Sequence, residues 1–458
     1  MPMKNINTFP PFPPGVSGLN TLFWLVKIRQ NAAFGLMDLF KKYGDVVRIH
    51  YFGRTLILLS HPDSIRYVLQ ENWQNYRKSR IDKGELIPVM GKGLVNSEGE
   101  LWKRQRLLIQ PAFHTSAMPH FAKTMVSVTA EMLGRWSSPI SGNVVNVVDV
   151  HREMNQLTME IICRVLFGTD IHELFPKVSE SLSVLMAFIV KRMTAPILPR
   201  RLSYMFHPHV RKSIRDFHTV VDTIIQKFHR EGPSNHFLSL LMQARDPQSG
   251  QTMSDLELRD EVMTFLIAGS DTTAQGLTWV LHLLTVYPLV AEKMVEEIDT
   301  LLKGRLPTME DVPQLVWTRM VIDESMRLFP PAWVFFRDAV ENDQIGGYFI
   351  PKNAIIILSQ YVTHRHPTFW EEPEAFRPAR FSQENIARRV KGTYIPFGFG
   401  PRQCIGASFA VMEMVLVISQ IFQKFRMEAI PGRTVDFLPQ ILLKPKNGLP
   451  LKLIRRPN

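Results

Sequence analysis

The chain has 458 residues, of which 45% are hydrophobic and 21% are charged. This balance excludes a disordered chain and leaves enough apolar material for a core that encloses a large ligand. The net charge is +12, but there is no long block of Lys and Arg and no zinc-finger spacing, so nucleic-acid binding is disfavoured. The two cysteines, Cys163 and Cys404, are too few for a disulfide framework and fit a reducing compartment.

The N-terminal segment, residues 1–18, is rich in proline. Its prolines exclude a helix long enough to cross a bilayer. The apolar residues 19–26 are followed by Lys27 and Arg29, so we expect this stretch at most to contact a membrane surface. With no visible signal peptide or anchor, the sequence predicts a cytoplasmic monomer with no transmembrane segment.

The next residues predict a small sheet and then a long helical region. Residues 46–51 and 55–59 are rich in β-branched side chains, flank Gly53 and predict a hairpin. From there to Phe329 most segments have helical periodicity. No internal repeat or flexible linker is visible. We therefore expect a mainly α fold with small β-sheets, in a single domain over residues 1–458 with no fused reductase.

The longest predicted helix has Ser254 as its N-cap, carries Asp255 and Glu257 in its first turn and ends near Tyr287. At a rise of 1.5 Å per residue it would extend for about 50 Å, so it should run through the core. Its middle, residues 268–273, is nevertheless small and polar. Taken alone, this segment could be a kink where Ser and Thr bond back to helix carbonyls.

The two cysteines lie in contrasting surroundings. Cys163 is flanked by apolar residues and is predicted to be a small hydrophobe on a buried helix face. Cys404 lies between a glycine-rich loop and an apolar helical run to about Phe425, where a helix N-terminus favours an anionic sulfur. Gly398 and its neighbouring glycines would let the backbone approach a flat cofactor. A lone cysteine of this kind is still most often structural.

The spacing of the residues around Cys404 is much more specific than the cysteine alone. With Phe397, Gly400, Arg402 and Gly406 it resembles the heme-binding loop of the cytochrome P450 family, whose cysteine thiolate ligates the iron. The resemblance extends over nearly the whole chain. It implies the P450 fold with heme b between the long helix and the helix after Cys404, and it assigns cofactor contacts to Phe397, Gly398, Arg402 and Gly406.

The same resemblance gives the long helix a function. Residues 268–273 are similar to the family's oxygen-binding groove, in which the small Ala268 makes room beside the iron. Thr272 would hydrogen-bond the dioxygen, and Asp271 would relay protons from solvent. These two residues are the predicted catalytic pair.

Heme propionates are anionic and favour Arg and Trp donors. The positions that match the family's spacing are Trp102, Arg106, Arg337 and Arg402. Each alone would be an ordinary helix-surface, solvated or turn residue, and their joint agreement with the cysteine loop favours propionate binding.

A structural network is also implied by the resemblance. Glu324 and Arg327 have the i,i+3 spacing of an ordinary helical ion pair. In the family such a pair joins an arginine from the later proline-rich loop, which Arg380 matches here. Ala379 departs from the acidic residue often found before that arginine. The expected role of the three residues is to support the heme loop.

The implied reaction inserts one atom of dioxygen into a lipophilic substrate. Similarity to fatty-acid hydroxylases of bacterial type favours a fatty acid first, with a terpenoid or another apolar molecule second. The predicted substrate pocket comprises Leu86, Val95, Leu266, Ala268, Trp333, Val334 and Leu438.

Electrons are expected from a separate ferredoxin or flavodoxin with its reductase. Such partners are commonly acidic, and we expect them to dock on a basic face with Lys103, Arg104 and Lys391. A peroxide-using or rearranging enzyme is the alternative within the fold, and activity with peroxide but none with oxygen and a reductase would favour it. A non-enzymatic heme sensor is disfavoured because no output module is visible.

Overall fold

The computed structural model describes residues 10–51, 53–113, 117–137, 146–168, 180, 181, 184, 185, 187–189, 192, 205–232, 234 and 236–456. The proline-rich segment 1–18 lies partly outside these residues. The described α-helices are α1 (Leu19–Gln30), α2 (Ala32–Tyr43), α3 (Pro62–Arg66), α4 (Arg80–Met90), α5 (Gly99–Ile109), α6 (Met118–Ser137), α7 (Val150–Phe167), α8 (Pro208–Glu231), α9 (Phe237–Gln243), α10 (Asp255–Val286), α11 (Pro288–Leu302), α12 (Val316–Leu328), α13 (Gln360–Thr363), α14 (Gln383–Arg388) and α15 (Ala407–Lys424).

The strands are short and fewer residues belong to them, so the prediction of a mainly α fold is confirmed. They are β1 (Gly15–Val16), β2 (Val46–Tyr51), β3 (Arg54–Leu59), β4 (Tyr76–Lys78), β5 (Asn146–Asp149), β6 (Phe335–Ala339), β7 (Asp343–Ile345), β8 (Tyr348–Ile350), β9 (Ile355–Leu358), β10 (Phe425–Ala429), β11 (Phe437–Pro439), β12 (Leu443–Pro445) and β13 (Pro450–Arg455).

The chain forms two compact units. The first comprises residues 1–83, 327–375 and 383–404, and the second comprises residues 84–326, 376–382 and 405–458. The assignment of the whole chain to a single domain stays a prediction.

The first unit is built on a six-stranded sheet with the order β1-β2-β3-β9-β6-β4. The predicted hairpin is confirmed: β2 and β3 are antiparallel, with Val46 opposite Leu59 and Tyr51 opposite Arg54. Gly53 in the turn has a φ of 71°, which glycine adopts without strain. The sheet is covered by buried side chains that form a core with segment 65–69, among them Ile57, Leu59, Ile65, Val68, Ile356 and Leu358.

The second unit is organised around α10, whose 32 residues extend for about 48 Å at the normal helical rise. Its start is confirmed, because the Ser254 hydroxyl accepts from the Glu257 N–H while the Glu257 carboxylate accepts from the Ser254 N–H. Helix α7 packs along α10, and α15 packs against α6. Cys163 lies on α7 and is buried, as predicted.

One described helix, α15, is long and apolar enough to cross a membrane, and the bent pair α10 and α11 would be a second candidate if it formed one span. In α15, 72% of the residues are buried inside the protein. A core helix therefore accounts for its hydropathy without a bilayer.

Candidate active site

The loop that carries Cys404 is closed by its own backbone. The Cys404 N–H donates to the Phe397 carbonyl at 2.8 Å, and the Gly398 N–H donates to the Ile395 carbonyl at 3.0 Å. A short 3₁₀ turn, Gly400–Arg402, fills the loop, and the Gln403 N–H closes it onto the Gly400 carbonyl at 3.0 Å. The Cys404 side chain is exposed at the end of this closed loop.

Two glycines of the loop have left-handed backbones for different reasons. Gly400 has a φ of 72°, and a Cβ added there would lie 2.1 Å from the Leu69 carbonyl oxygen. Gly398 has a φ of 73°, but the nearest atom to its added Cβ is 4.0 Å away. Gly400 is therefore required by close packing as well as by conformation, whereas Gly398 leaves an open side to the loop.

The two cysteines differ in solvent exposure, which decides whether the sulfur can reach and ligate a metal. Cys163 is 1% exposed, and burial raises the pKa of its thiol to about 12, so it stays protonated. Cys404 is exposed and precedes Gly406, which is the N-cap of α15. A single accessible sulfur is the protein donor that heme iron needs, because the porphyrin itself supplies four nitrogen ligands. The residues present thus fit a heme ligated by Cys404.

The middle of α10 is accessible between two buried stretches of the helix. Residues 261–267 and 273–281 are buried, whereas Ala268, Gly269, Asp271 and Thr272 are half-buried. These four positions share one helical face, since residues three and four apart are neighbours on a helix. Their small or polar side chains make a shallow, polar surface within the second unit.

The hydroxyls of this segment bond back to the helix. Thr272 Oγ1 donates to the Ala268 carbonyl at 2.7 Å, and Thr273 Oγ1 donates to the Gly269 carbonyl at 3.0 Å. Each hydroxyl then presents its oxygen lone pairs as acceptors. Thr272 does so on the half-buried face, while Thr273 is buried.

The predicted catalytic residue Asp271 has a side-chain partner that the sequence did not single out. Gln275 lies one turn further along α10, and its amide Nε2 donates to Asp271 Oδ1 at 2.9 Å. Gln275 is 1% exposed. The buried amide therefore fixes one oxygen of a half-buried carboxylate.

The four predicted propionate donors lie on three elements. Trp102 and Arg106 are one turn apart on α5, with Trp102 buried and Arg106 half-buried. Arg337 is half-buried on β6, where its Nη1 donates to the Phe336 carbonyl at 2.8 Å. Arg402 is half-buried in the turn before Cys404. The structure thus brings Trp102 and Arg106 together on one helix face.

The predicted support network has a buried ion pair at its centre. Glu324 is fully buried on α12, and its Oε1 lies 3.3 Å from Arg380 Nε. The same oxygen accepts from the Arg377 N–H at 2.8 Å. Arg327, also buried, donates to the carbonyls of His364, Pro373 and Ala375 at 2.7–3.0 Å. Glu324 and Arg327 therefore tie the proline-rich loop to α12 by both side chains and backbone.

The predicted pocket residues differ in burial. Leu86, Val95, Val334 and Leu438 are half-buried, whereas Leu266 is fully buried. Trp333 is 4% exposed, and its carbonyl accepts from Ser359 Oγ at 3.2 Å. Their role in substrate binding stays a prediction.

A second feature of α10 was missed from the sequence. The glycine-containing loop at residues 91–97 is clamped to the helix, because Asp260 accepts from the Lys92 N–H at 2.7 Å and Glu261 from the Leu94 N–H at 3.0 Å. An acidic residue on the apolar face of a buried helix is the signal that could have found this clamp, since a buried carboxylate requires donors.

The basic face predicted for docking is partly engaged within the protein. Arg104 forms ion pairs with Glu257 and with Asp246, the latter at 3.4 Å. Lys103 is exposed and pairs with Glu100, and Lys391 is exposed. Arg104 therefore holds α5 to α10, and its assignment as a docking cation loses support.

Comparison with known proteins agrees with this geometry. The family model for cytochrome P450 matches residues 10–452. The chain is 32% identical to cyclooctat-9-en-7-ol 5-monooxygenase of Streptomyces melanosporofaciens over 86% of this chain and 84% of that protein. It is 31% identical to the ultra-long-chain fatty acid omega-hydroxylase of Homo sapiens over 87% of this chain and 79% of that protein.

The fold agrees as well. The crystal structure of the cytochrome P450DA heme domain superposes with a TM-score of 0.88 at 26% identity, over 99% of this chain and 98% of that one. A match over nearly the whole length, together with relatives above 30% identity, makes this chain a monooxygenase of the cytochrome P450 family.

Proposed function

We propose that the thiolate of Cys404 ligates the iron of heme b and that the enzyme inserts one oxygen atom from dioxygen into a lipophilic substrate. The observation that carries this proposal is the backbone-closed loop that presents an exposed Cys404 sulfur. The other cysteine is a buried thiol with a raised pKa and is unsuited to ligate a metal.

Bound heme supplies the activation of dioxygen, one atom of which enters the substrate while the other becomes water, with two electrons and two protons consumed. The protons pass through a site otherwise kept dry by the apolar residues of α10. Thr272 offers its hydroxyl on the half-buried face, and Asp271 accepts a proton from solvent and releases it toward that face. The propionates of a bound heme would pair with Arg106, Arg337, Arg402 and the indole N–H of Trp102. The porphyrin ring would pack against Phe397, Gly398 and Gly406.

The first candidate for the substrate class is a fatty acid, and the second is a terpenoid. Relatives named for cyclooctat-9-en-7-ol and for ultra-long-chain fatty acids are about equally similar. A net charge of +12 favours the approach of a carboxylate over that of a neutral molecule. The substrate pocket would be lined by Leu86, Val95, Leu266, Ala268, Trp333, Val334 and Leu438. Titration with both classes, followed by the spin-state shift of the Soret band, tests this order, and a response to terpenoids alone would reverse it.

Electrons come from a separate ferredoxin or flavodoxin with its reductase, and the enzyme works as a cytoplasmic monomer. The positive net charge favours an acidic partner, with exposed Lys103 and Lys391 as contacts. Two cysteines in 458 residues are too few for a disulfide framework, which fits a reducing compartment. The rate of reduction should fall as ionic strength rises, and a rate insensitive to salt would contradict this docking.

The ligand assignment is tested by the ferrous carbon monoxide spectrum of three proteins. The wild type and Cys163→Ala should both give the long-wavelength Soret band of a thiolate complex. Cys404→Ser should lose that band, because an alcohol does not replace a thiolate as donor. A normal band in Cys404→Ser would overturn the proposal.

A further inference from the structure

The partner of Asp271 is itself held in one orientation. A carboxylate only accepts hydrogen bonds, so the Gln275 amide must turn its Nε2 toward Asp271 and its Oε1 away. The Oε1 of Gln275 is buried and has no hydrogen-bond partner among the described residues. An unsatisfied buried amide oxygen is costly, which indicates that a donor belongs beside it.

Helix α7 supplies a donor of the required kind. His151 lies in the first turn of α7, and its Nε2 is also buried and has no hydrogen-bond partner among the residues the structure describes. The His151 ring is near enough for the Gln275 side chain and the Asp271 charge to raise its pKa. The closeness of the two helices is also seen where Ile162 of α7 lies 3.3 Å from an added Cβ on Gly269.

The charges around His151 leave it neutral near pH 7. Burial lowers the pKa of His151 below its ordinary value, and this effect exceeds the opposing influence of Asp149, Asp271 and Gln275. Lys444 lowers it further. A neutral imidazole carries one N–H. An N–H on Nε2 is the donor that Gln275 Oε1 lacks, while Gln275 Nε2 already donates to Asp271.

We propose that His151, acting through Gln275, is a positioning residue that fixes the carboxylate of Asp271 for proton delivery. This inference rests on the proposed role of Asp271. An amide does not transfer a proton, but its hydrogen bonds fix the orientation of the groups that it joins. His151 therefore orients the carboxylate of Asp271 through Gln275, and Asp271 Oδ2 stays available to exchange protons. When the orientation is lost, dioxygen should leave as hydrogen peroxide after taking up two electrons and two protons, and the substrate stays unoxidised.

The first experiment compares product formed per reductant consumed in holoenzyme variants. His151→Phe keeps a ring of similar shape but removes the N–H, and it should lower this ratio by about 10-fold, in the range that outer-shell partners contribute. His151→Gln restores a donor near the Nε2 position and should recover most of the ratio. His282→Phe is the matched control and should leave the ratio unchanged. His282 is another half-buried histidine with a lowered pKa, and it lies on α10 two turns beyond Gln275.

The second experiment measures the interaction of His151 with Gln275 and Asp271 in the absence of turnover. In the ferrous carbon monoxide form, histidine NMR gives the pKa of His151, assigned by its absence in His151→Phe. Asp271→Asn should lower this pKa further, because the negative charge that raises it has gone. Gln275→Leu should lower it as well, since the hydrogen bond is lost.

The outcomes separate this inference from the proposed function. If Asp271→Asn uncouples the reaction and His151→Phe does not, only the positioning role of His151 fails. If Asp271→Asn stays fully coupled, the proposed role of Asp271 fails and the inference with it. The inference is also overturned if the pKa of His151 is unchanged in both Asp271→Asn and Gln275→Leu. It is overturned as well if His151→Gln is as uncoupled as His151→Phe.

Discussion

The Cys404 loop and the middle of α10 each present a reactive group, but they are built in different ways. In the loop, backbone hydrogen bonds and the left-handed Gly400 fix the position of the sulfur. In α10, Asp271 is fixed by side chains, first Gln275 and, as we infer, then His151 from another helix. The hydrogen bonds of the loop therefore lie within residues 395–404, whereas the orientation of Asp271 depends on residues more than a hundred positions apart.

This difference predicts different responses to substitution. A change within the loop should alter cofactor binding and stability together, because the same backbone serves both. A change beside Asp271 should alter the use of electrons while the cofactor stays bound. The predictions below test this separation, starting with the largest expected effect.

Glu324→Ala should destabilise the protein by about 3–5 kcal/mol, since it leaves a mostly buried Arg380 without its carboxylate and removes the acceptor of the Arg377 N–H. Chemical unfolding followed by fluorescence measures this loss. Arg388→Ala is the control, because the Arg388 pair with Glu384 on α14 is exposed at both residues and should cost no more than about 1 kcal/mol. Equal losses in the two variants would contradict the supporting role of Glu324.

Acid should destabilise the protein through His282 of α10. Burial lowers the pKa of His282 to about 4, whereas the unfolded value is near 6.5. The unfolded chain therefore binds the proton first, so the stability is complete above about pH 6.5 and falls by about 3 kcal/mol as the pH drops toward 4. His282→Phe should flatten the pH dependence of unfolding in this window. An unchanged slope would show that another group titrates.

Thr272→Val should lower coupled turnover on the order of 10²-fold, because its hydroxyl on the half-buried face is lost while the side-chain shape is kept. The neighbouring Thr273→Val removes an equivalent back-bonded hydroxyl from a buried position and should turn over like the wild type. Steady-state product formation with a saturating reductase system measures both. Similar rates in the two variants would remove the catalytic role of Thr272.

Gly400→Ala should cost about 1–3 kcal/mol and lower heme content, since the new Cβ meets the Leu69 carbonyl and the backbone is left-handed. Gly398→Ala should cost about 1 kcal/mol from conformation alone, because its Cβ points into open space. Thermal unfolding and the Soret absorbance per protein measure the two effects. A greater loss in Gly398→Ala would contradict the packing account.

The sequence predicted features whose causes are local. The hairpin around Gly53, the N-cap at Ser254, the burial of Cys163 and the helix after Cys404 follow from neighbouring residues, and all four are confirmed. The family assignment rested on the spacing around Cys404 and is also confirmed.

The sequence did not predict features whose causes are distant. Gln275 looked like any polar residue of a helix, because its buried amide oxygen and the nearby His151 become relevant only when α7 packs along α10. Arg104 was predicted to lie on a docking face. Its ion pairs with Asp246 and Glu257 were not foreseen, because they join residues far apart in the chain. Burial and pairing of this kind depend on the packed fold, so periodicity and local motifs do not reveal them.

The most direct test of the account is the fate of isotopic oxygen. The holoenzyme is supplied with ¹⁸O₂, a reductase system and a substrate that shifts its spin state, and the product is analysed by mass spectrometry. We predict one ¹⁸O atom in the product and none when the label is in water instead. Product that forms only with peroxide, or that carries no ¹⁸O from dioxygen, would contradict a monooxygenase built on Cys404, Asp271 and Thr272.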